Sequence, residues 1–242
     1  MNPRGRIALV TGGAVRIGRA IARALADAGA GVVIHYRGSH GAAREARDEI
    51  RARGGRAWTL RADLARDAAA EALVGRAARL AGAPVDILVN NAAVFHRDPL
   101  SRADGSALRS EFAVNLFAPL LLLRALAAQG RRGVAINLLD RRIEGLDVAC
   151  GPYVLSKKAL AEATRLAARA FAPRVRVNGV APGAILPPPG RGPGYLKVRA
   201  GPVPLRRQCT PEDVAGAVLF LVRAEAVTGQ IVFVDGGQHL LG

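Results

Sequence analysis

One stretch near the start of the chain decides the fold: Ile7 to Gly18 reads IALVTGGAVRIG. Its apolar beginning predicts a buried strand over Ile7–Val10, and a helix is predicted directly after the glycines, over 17–28. Glycines at such a turn let a pyrophosphate approach backbone N–H groups and the positive end of the helix. A glycine pattern alone is weak evidence, but its place between the first strand and the first helix predicts a dinucleotide-binding turn.

Short β-branched runs alternate with longer Ala/Leu/Arg segments along the whole chain. This alternation is typical of a parallel sheet with helices on both faces, whose strands are apolar on both sides. The predicted fold class is therefore α/β, a Rossmann-type doubly wound parallel sheet of about seven strands in a single domain, residues 1–242. The predicted strands are Ile7–Val10, Val32–His35, Ala57–Leu60, Ile87–Val89, Val134–Asn137, Val175–Asn178 and Ile231–Val234, and the predicted helices are 17–28, 41–53, 66–81, 105–128, 152–171 and 211–223.

Length and composition narrow the class of protein. A chain of 242 residues, half of them hydrophobic, is long enough for one α/β domain with a large core. We expect no apolar run long enough to span a bilayer, and no signal peptide, because Met1 to Arg6 leads directly into a strand. Cys150 and Cys209 show no metal-like spacing and read as free thiols. A cytoplasmic protein without membrane or metal is predicted.

The formal net charge of +16 raises the question of nucleic-acid binding. The arginines are scattered through every predicted helix, and aromatic residues are not interleaved with them. We therefore expect no nucleic-acid partner. A basic surface would instead attract a polyanionic cofactor over long range.

The second predicted strand ends at residues that suit an extra phosphate. An acid at this place would bind a ribose 2′-hydroxyl, but the sequence reads Tyr36, Arg37, Gly38, Ser39 and offers a charge and a donor instead. NADPH is therefore predicted over NADH. Arg16, at a helix N-terminus where a cation opposes the macrodipole, is explained by an anionic partner; a solvated surface arginine is the alternative.

A tyrosine and a lysine four residues apart, Tyr153 and Lys157, share one face of a predicted helix. The lysine's charge is expected to lower the pKa of the phenol, so that the tyrosine passes a proton near neutral pH. Asp140 follows an apolar strand, which delivers it to the sheet edge where open α/β sheets bind ligands. It would add a second titratable group, although a loop or cap aspartate is the alternative.

The combined motifs resemble the classical short-chain dehydrogenase/reductase family over essentially the whole chain. They include Asn90-Asn91-Ala92-Ala93, Asn115, the Tyr153/Lys157 pair, Asn178 to Gly183 and Val234 to Gly237. The resemblance implies hydride transfer from a nicotinamide, a homotetramer, and a catalytic relay of Asn115, Tyr153 and Lys157. The cofactor residues that it implies are Thr11, Gly12, Arg16, Ile17, Gly18, Tyr36, Arg37, Ser39, Asp63, Leu64, Asn91, Ala92, Lys157, Pro182 and Gly183. Asp63 is placed like the residue that contacts the adenine, with a helix N-cap as the alternative.

Two departures from the general family pattern narrow the resemblance. Arg16 replaces the middle glycine of the turn, and Asp140 replaces the usual catalytic serine. Together they look like the pteridine reductase branch, which includes bacterial dihydromonapterin reductases. That branch also carries an aromatic residue shortly after the N-N-A motif, where this chain has Phe95. The resemblance implies a pterin between Phe95 and the nicotinamide, with Arg16, Asp140 and Tyr153 as further substrate contacts; ordinary core packing is the alternative for Phe95.

The leading functional hypothesis is an NADPH-dependent reductase of C=N bonds in a pterin, such as a dihydropterin, biopterin, monapterin or dihydrofolate. A carbonyl reductase, for example of 3-oxoacyl thioesters, is the alternative, although an ionised Asp140 would repel a developing alkoxide. A non-catalytic nucleotide-binding protein is a third possibility. The Pro- and Gly-rich segment 187–204 is predicted to be the substrate loop, because it follows the sixth strand at the carboxyl edge of the sheet; a disordered surface insertion is the alternative.

Overall fold

Seven parallel strands form one sheet in the part of the chain that the computed structural model describes, residues 1–187, 192, 194, 196 and 201–241. Their order across the sheet places the third strand at one edge and the seventh at the other, with the first strand between the second and the fourth. The predicted doubly wound α/β fold is therefore confirmed. The strands are β1 Ile7–Val10, β2 Gly31–Tyr36, β3 Arg56–Arg61, β4 Ile87–Asn90, β5 Gly133–Leu138, β6 Val175–Pro182 and β7 Ile231–Val234.

The strand order reverses between β1 and β4, and this reversal positions the site. Ala8 of β1 pairs with Val32 of β2 on one side and with Ile87 of β4 on the other. The chain builds the sheet outward through β2 and β3 and then returns past β1 to β4. A crevice opens at such a switch point, beyond the carboxyl ends of the strands. The segments that follow β1 and β4 therefore meet there.

Helices cover both faces of the sheet and bury two aliphatic cores. One core packs Ile21 and Leu25 against Val214 and Val218, and the other centres on Leu73, Leu122 and Leu126. Two cores are expected when a sheet is apolar on both faces. The helices are α1 Arg16–Asp27, α2 His40–Ala52, α3 Asp67–Ala81, α4 Gly105–Phe112, α5 Ala118–Ala127, α6 Gly151–Ala170 and α7 Pro211–Arg223, with a π-helical turn, Ala113–Phe117, between α4 and α5.

The helical stretch Gly105–Ala127 corrects one expectation. By length and composition it is apolar enough to cross a membrane, so the expectation that no such run exists is wrong by that test. In this structure α5 packs against α3, and Leu122, Leu123 and Leu126 are buried in the core. The stretch is thus used here as a core helix.

The last helix begins as its sequence predicts. Thr210 accepts a hydrogen bond from the backbone N–H of Asp213, whose carboxylate accepts one from the N–H of Thr210, and Pro211 is the first helical residue. This reciprocal capping box satisfies two backbone donors at the helix start. The predicted substrate loop, 187–204, lies just upstream, and most of it, 188–191, 193, 195 and 197–200, falls outside the described residues.

Candidate active site

The turn after β1 is tight enough to require glycine at two positions. Gly12 has φ +60°, and a Cβ there would lie 3.1 Å from the Cα of Ala92. A Cβ on Gly18 would lie 2.2 Å from the carbonyl oxygen of Gly12. The turn, the first residues of α1 and the segment after β4 therefore pack too closely to admit a side chain at either position.

Thr11 and Asn91 tie this turn to the segment after β4. The Thr11 hydroxyl accepts hydrogen bonds from the N–H groups of Asn91 and Ala92, at 2.9 and 3.0 Å. The Asn91 amide in turn donates to the carbonyl of Thr11 at 2.8 Å. These bonds fix the floor of the crevice, so Thr11 acts below the surface of the site.

A cleft of about 470 Å³ lies over the turn and collects most of the predicted cofactor residues. Its lining includes Gly12, Arg16, Ile17, Gly18, Tyr36, Arg37, Ser39, Asp63, Leu64, Asn91 and Ala92. The prediction named four further residues, Thr11, Lys157, Pro182 and Gly183, which do not line this cleft. Further residues line the cleft that were not predicted as cofactor residues, although several belong to the quoted motifs, namely Ala14, Val15, His35, Gly38, Ala93, Val94 and Val114.

Asp63 lines the cleft but does not cap a helix. Its carboxylate accepts a hydrogen bond from the N–H of Ala65 at 3.2 Å, whereas α3 begins at Asp67 with Arg66 in the N-cap position. The alternative interpretation of Asp63 as the N-cap is therefore wrong. The side chain stabilises a local turn that precedes the helix.

His35 supports the glycine turn from β2, and no sequence signal identified it. Its Nδ1 accepts a hydrogen bond from the N–H of Gly12 at 3.2 Å, and its Nε2 lies 3.2 Å from the carbonyl oxygen of Ala62. Both contacts suit the neutral ring with its proton on Nε2. Burial lowers the pKa of His35 to about 4, so the ring stays neutral near pH 7.

Arg16 lines the cofactor cleft, but its side chain contacts the segment that follows β6. Its backbone has φ +54°, a left-handed conformation that a glycine adopts with less strain. Its guanidinium donates to the carbonyl oxygens of Pro187 and Leu186, at 2.9 and 3.2 Å. Arg16 thus joins the turn to the first residues after β6, and its predicted contacts with substrate and phosphate stay predictions.

Asp140 and Tyr153 form a direct pair. The Tyr153 hydroxyl donates to Oδ2 of Asp140 at 3.0 Å. Oδ1 of the same carboxylate accepts from the N–H of Arg142 at 2.9 Å and so caps the 3-10 turn Arg141–Ile143. The two interpretations of Asp140, cap and site residue, are therefore compatible.

Arg142 completes this cluster, and sequence reasoning missed it. Its Nη1 donates to Oδ2 of Asp140 at 3.0 Å, and its Nε donates to Asp147 at 2.9 Å. A charged bond of this kind stabilises the ionised carboxylate. A basic residue two positions after the aspartate was the available signal, but scattered arginines throughout the chain concealed it.

The pKa of the tyrosine moves in the direction opposite to the expected one. Burial raises the pKa of Tyr153 well above its ordinary value, and the charge of Asp140 raises it further, while Arg142 opposes both. The expectation that Lys157 brings the phenol close to neutral pH is therefore wrong for this arrangement. Tyr153 is held in its protonated form, as a hydrogen-bond donor.

Lys157 lies beneath the tyrosine on the same helix. Its ammonium group donates to the carbonyl of Leu138 at 2.7 Å and lies 5.9 Å from the centre of the Tyr153 ring. Burial lowers the pKa of Lys157 to about 8, although the charges of Asp140 and Glu111 oppose this effect. The lysine is therefore a buried cation that titrates close to physiological pH.

Phe95 stands at the surface beside these groups. It is 47% exposed, so the alternative of ordinary core packing is wrong. Its ring meets that of Tyr153 edge to face, with centroids 4.8 Å apart, and the Arg142 guanidinium lies 5.7 Å from its centre. The Phe95 ring, the Tyr153 hydroxyl and the Asp140 carboxylate thus form one cluster.

Asn115 lies in the π-helical turn, fully buried. Its amide oxygen accepts from the N–H of Val94 at 2.9 Å, and its amide nitrogen lies 2.7 Å from Oε2 of Glu111 and 3.1 Å from the hydroxyl of Ser156. The same amide nitrogen also donates to the carbonyl of Val94, and within the described part of the chain the Asn115 side chain forms no hydrogen bond with Tyr153 or Lys157. Glu111 and Ser156 are further site residues that sequence reasoning missed.

The family follows from sequence comparison. The profile described as enoyl-(acyl carrier protein) reductase matches residues 13–239, nearly the entire chain. A 7alpha-hydroxysteroid dehydrogenase of Escherichia coli K12 is 33% identical, with 96% of this chain and 94% of that protein covered. An uncharacterized oxidoreductase of Methylorubrum extorquens is 35% identical, with 96% and 97% covered. The chain belongs to the classical short-chain dehydrogenase/reductase family and is an oxidoreductase of that type.

The fold also resembles that of a solved structure. FolM, alternative dihydrofolate reductase 1 from Brucella canis, superposes with a TM-score of 0.93 at 35% identity. The match covers 99% of this chain and 96% of that one, and the Brucella protein was solved with NADP. The predicted nicotinamide cofactor agrees with this comparison.

Proposed function

We propose that this protein is an NADPH-dependent reductase of a pterin, acting on the C=N bond of a dihydropterin such as dihydrobiopterin, dihydromonapterin or dihydrofolate. The observation that carries the proposal is the cluster of Phe95, Tyr153 and Asp140. An exposed aromatic ring lies edge to face with the tyrosine, whose hydroxyl is 3.0 Å from the carboxylate.

The cluster matches the shape and polarity of a pterin. A flat bicycle stacks on an aromatic face, and Phe95 offers one that is 47% exposed. A pterin also carries several N–H groups on its edge, for which the Asp140 carboxylate is an acceptor. A site built from one stacking ring and a few convergent polar groups is typical for small heterocycles.

The residues of the chain supply the proton for this reaction. Reduction of C=N adds hydride at carbon and a proton at nitrogen, and NADPH supplies the hydride when it is bound. Tyr153 is the proton donor, since its hydroxyl is protonated near neutral pH; its raised pKa means that the phenolate left behind needs stabilisation by nearby cations. Arg142 and Lys157 are the nearby cations, and they offset the negative charge that the phenol acquires beside Asp140.

The cleft fits NADPH on its own residues. The glycine turn lines the cleft and runs into the N-terminus of α1, where backbone N–H groups and the helix dipole suit a pyrophosphate. Arg37 and Ser39 line the cleft just after β2, which ends without a carboxylate, and this pair suits the 2′-phosphate. We propose that these residues hold the cofactor, in a cytoplasmic homotetramer with a small-molecule pterin as substrate and neither nucleic acid nor membrane as partner.

A carbonyl reductase is the second candidate, because relatives include an enzyme named for hydroxysteroid oxidation. The Tyr153/Lys157 pair would serve such a reaction equally well. Asp140 argues against it, since the carboxylate lies 3.0 Å from the tyrosine hydroxyl, where a developing alkoxide would meet its charge.

A substrate panel decides between the two candidates. NADPH oxidation is followed at saturating cofactor with dihydrobiopterin, dihydromonapterin and dihydrofolate, and in parallel with acetoacetyl thioester and a hydroxysteroid–ketosteroid pair. We expect turnover with at least one dihydropterin and a kcat/KM at least about 100-fold lower with the carbonyl compounds, a difference of about 2.7 kcal/mol. Turnover of carbonyl compounds alone would contradict the proposal.

A further inference from the structure

Glu111 is a buried carboxylate with no role in the proposed reaction. It lies on α4 and is 1% exposed. Its Oε1 lies 2.8 Å from the backbone nitrogen of His96 and 2.9 Å from the ring Nδ1 of the same residue. Its Oε2 lies 2.7 Å from the amide nitrogen of Asn115. A buried carboxylate is costly unless donors surround it, and these hydrogen bonds supply the donors that Glu111 needs.

These bonds fix the two neighbours of Phe95. His96, which follows the phenylalanine, is held by Glu111 through its backbone and its ring. Val94, which precedes it, exchanges two hydrogen bonds with the side chain of Asn115, at 2.9 and 3.0 Å. Asn115 itself is held by Glu111. The Glu111 carboxylate therefore holds the backbone on both sides of Phe95, directly at His96 and through Asn115 at Val94.

Glu111 also adds negative charge to the surroundings of Lys157. The groups that face this lysine are Asp140 after β5, Glu111 on α4, Tyr153 on its own helix, and the carbonyl of Leu138. Of these, the two carboxylates favour the ammonium form against the effect of burial. The charge of Glu111 therefore bears on the protonation of the lysine.

We infer that Glu111, with His96, is a positioning residue of the active site: it holds the Phe95 ring beside Tyr153 and supplies buried negative charge near Lys157. The first part rests on the proposed function, because it concerns the ring on which a pterin would stack. The second part does not depend on the identity of the substrate, because it concerns the buried carboxylate and Lys157 and applies to any reaction at this site.

The chemistry of the contacts requires a carboxylate. Three donors converge on its two oxygens, so an amide in its place sets its own NH2 group against at least one of them. Glu111→Gln thus removes the charge and one acceptor at nearly constant volume. Glu71→Gln is the matched control, because Glu71 lies on α3 and its exposed carboxylate bonds Arg124.

The test measures kcat and KM for the active dihydropterin between pH 6 and pH 10. In Glu111→Gln we expect KM to rise about 10-fold with a smaller change in kcat, because the stacking ring loses its anchor. We also expect the loss of activity at high pH, set by Lys157, to begin about half a pH unit to one unit lower, because a negative charge that favours the ammonium form is gone. Glu71→Gln should change neither quantity.

A folded Glu111→Gln enzyme with unchanged KM and an unchanged alkaline limb overturns the inference, even if its melting temperature falls. His96→Ala provides a second variant that leaves the buried charge in place, and its side chain is exposed. It should raise KM less than Glu111→Gln does, because the backbone N–H at position 96 still donates to Glu111, and it should leave the alkaline limb unchanged; an unchanged KM would overturn the part assigned to the His96 ring. If only carbonyl compounds are reduced, the proposed function fails, and the alkaline limb measured with them still tests the role of Glu111.

Discussion

Asp140 does more than replace a serine, because two donors of different kind share its Oδ2. The phenol of Tyr153 and the guanidinium of Arg142 both lie 3.0 Å from that oxygen. The arginine offsets part of the charge that the aspartate imposes on the tyrosine. Arg142 therefore reduces the electrostatic cost of a carboxylate beside a proton donor.

We expect Asp140→Ser to lower kcat with dihydropterins by about 100-fold and to change the Kd for NADPH by less than about threefold. The serine hydroxyl can still cap the turn at Arg142, but it cannot serve as the charged partner of Tyr153. Steady-state kinetics and a fluorescence titration with NADPH measure the two effects.

Asp147→Ser is the control for this change, because Asp147 belongs to the same loop, caps its own 3-10 turn and bonds Nε of Arg142. Its effect on kcat should be smaller than that of Asp140→Ser. Full dihydropterin activity in Asp140→Ser would exclude a special role for the aspartate.

At the scale of elements, the glycine turn depends on contacts from three strands. His35 of β2 accepts from the Gly12 N–H, Thr11 follows β1, and Asn91 follows β4. The turn is therefore shaped by the sheet as well as by its own glycines. Two predictions separate these contributions.

We expect Gly18→Ala to weaken NADPH binding by at least about 10-fold, because the added Cβ would lie 2.2 Å from the carbonyl oxygen of Gly12 and would force the turn open. Gly216→Ala is the matched control, since a Cβ on that helical glycine meets nothing within 4 Å. The control should bind NADPH normally and gain about 0.5–1 kcal/mol of stability. Calorimetric titration compares the two; normal NADPH affinity in Gly18→Ala would contradict the geometry.

His35 predicts how the stability of the fold depends on pH. In the folded protein its pKa is about 4, whereas an unfolded histidine titrates near 6.5. Between these values the unfolded chain binds the additional proton, so the free energy of unfolding decreases as the pH falls from about 6.5 to 4. The loss from this one group amounts to about 3 kcal/mol at most.

Denaturant unfolding at pH 7 and at pH 4.5 checks this expectation. In His35→Asn the amide oxygen can still accept from the Gly12 N–H but does not titrate, so the decrease between the two pH values should be smaller by about 2–3 kcal/mol. An equal decrease in both proteins would show that His35 is not the group responsible.

At the scale of the whole molecule, several apolar side chains remain exposed on the described helices. Phe117 ends the π-helical turn and Leu120 follows on α5, while Leu155 and Leu166 lie on α6, where Leu166 is 71% exposed. Contiguous exposed apolar patches mark interaction surfaces, whereas single exposed side chains are common on monomers. The exposed leucines of these helices are therefore the side chains to test for self-association.

We expect the protein to be a homotetramer, with a mass about four times the 25.2 kDa of one chain. Light scattering coupled to size-exclusion chromatography measures this mass. Leu166→Glu should reduce the assembled fraction, because it places a charge in an apolar contact, whereas Arg131→Glu, on the loop before β5, should not. A single peak at the mass of one chain would exclude the tetramer.

Much of this architecture could be predicted from local sequence patterns. Each of the seven strands appeared where an apolar run predicted it, and the capping residues at Thr210 marked the start of the last helix. These signals are local, since periodicity, glycine placement and caps act within a few residues. The predicted length of the long helix was also close, although its π-helical turn at Asn115 left no sequence signal.

Some features of the site could likewise be predicted from the sequence, and others appeared only in the structure. The sequence alone determined the fold class, the glycine turn, the Tyr153/Lys157 pair and the unusual Asp140, because residue type and spacing encode them directly. Only the tertiary structure decided that Arg142 accompanies Asp140, that Glu111 anchors the backbone around Phe95, and that the pKa of Tyr153 rises instead of falling. Those contacts depend on burial and on distances between segments that lie far apart in the chain. The pKa of a group depends on its surroundings in the folded protein, and spacing along the sequence does not encode those surroundings.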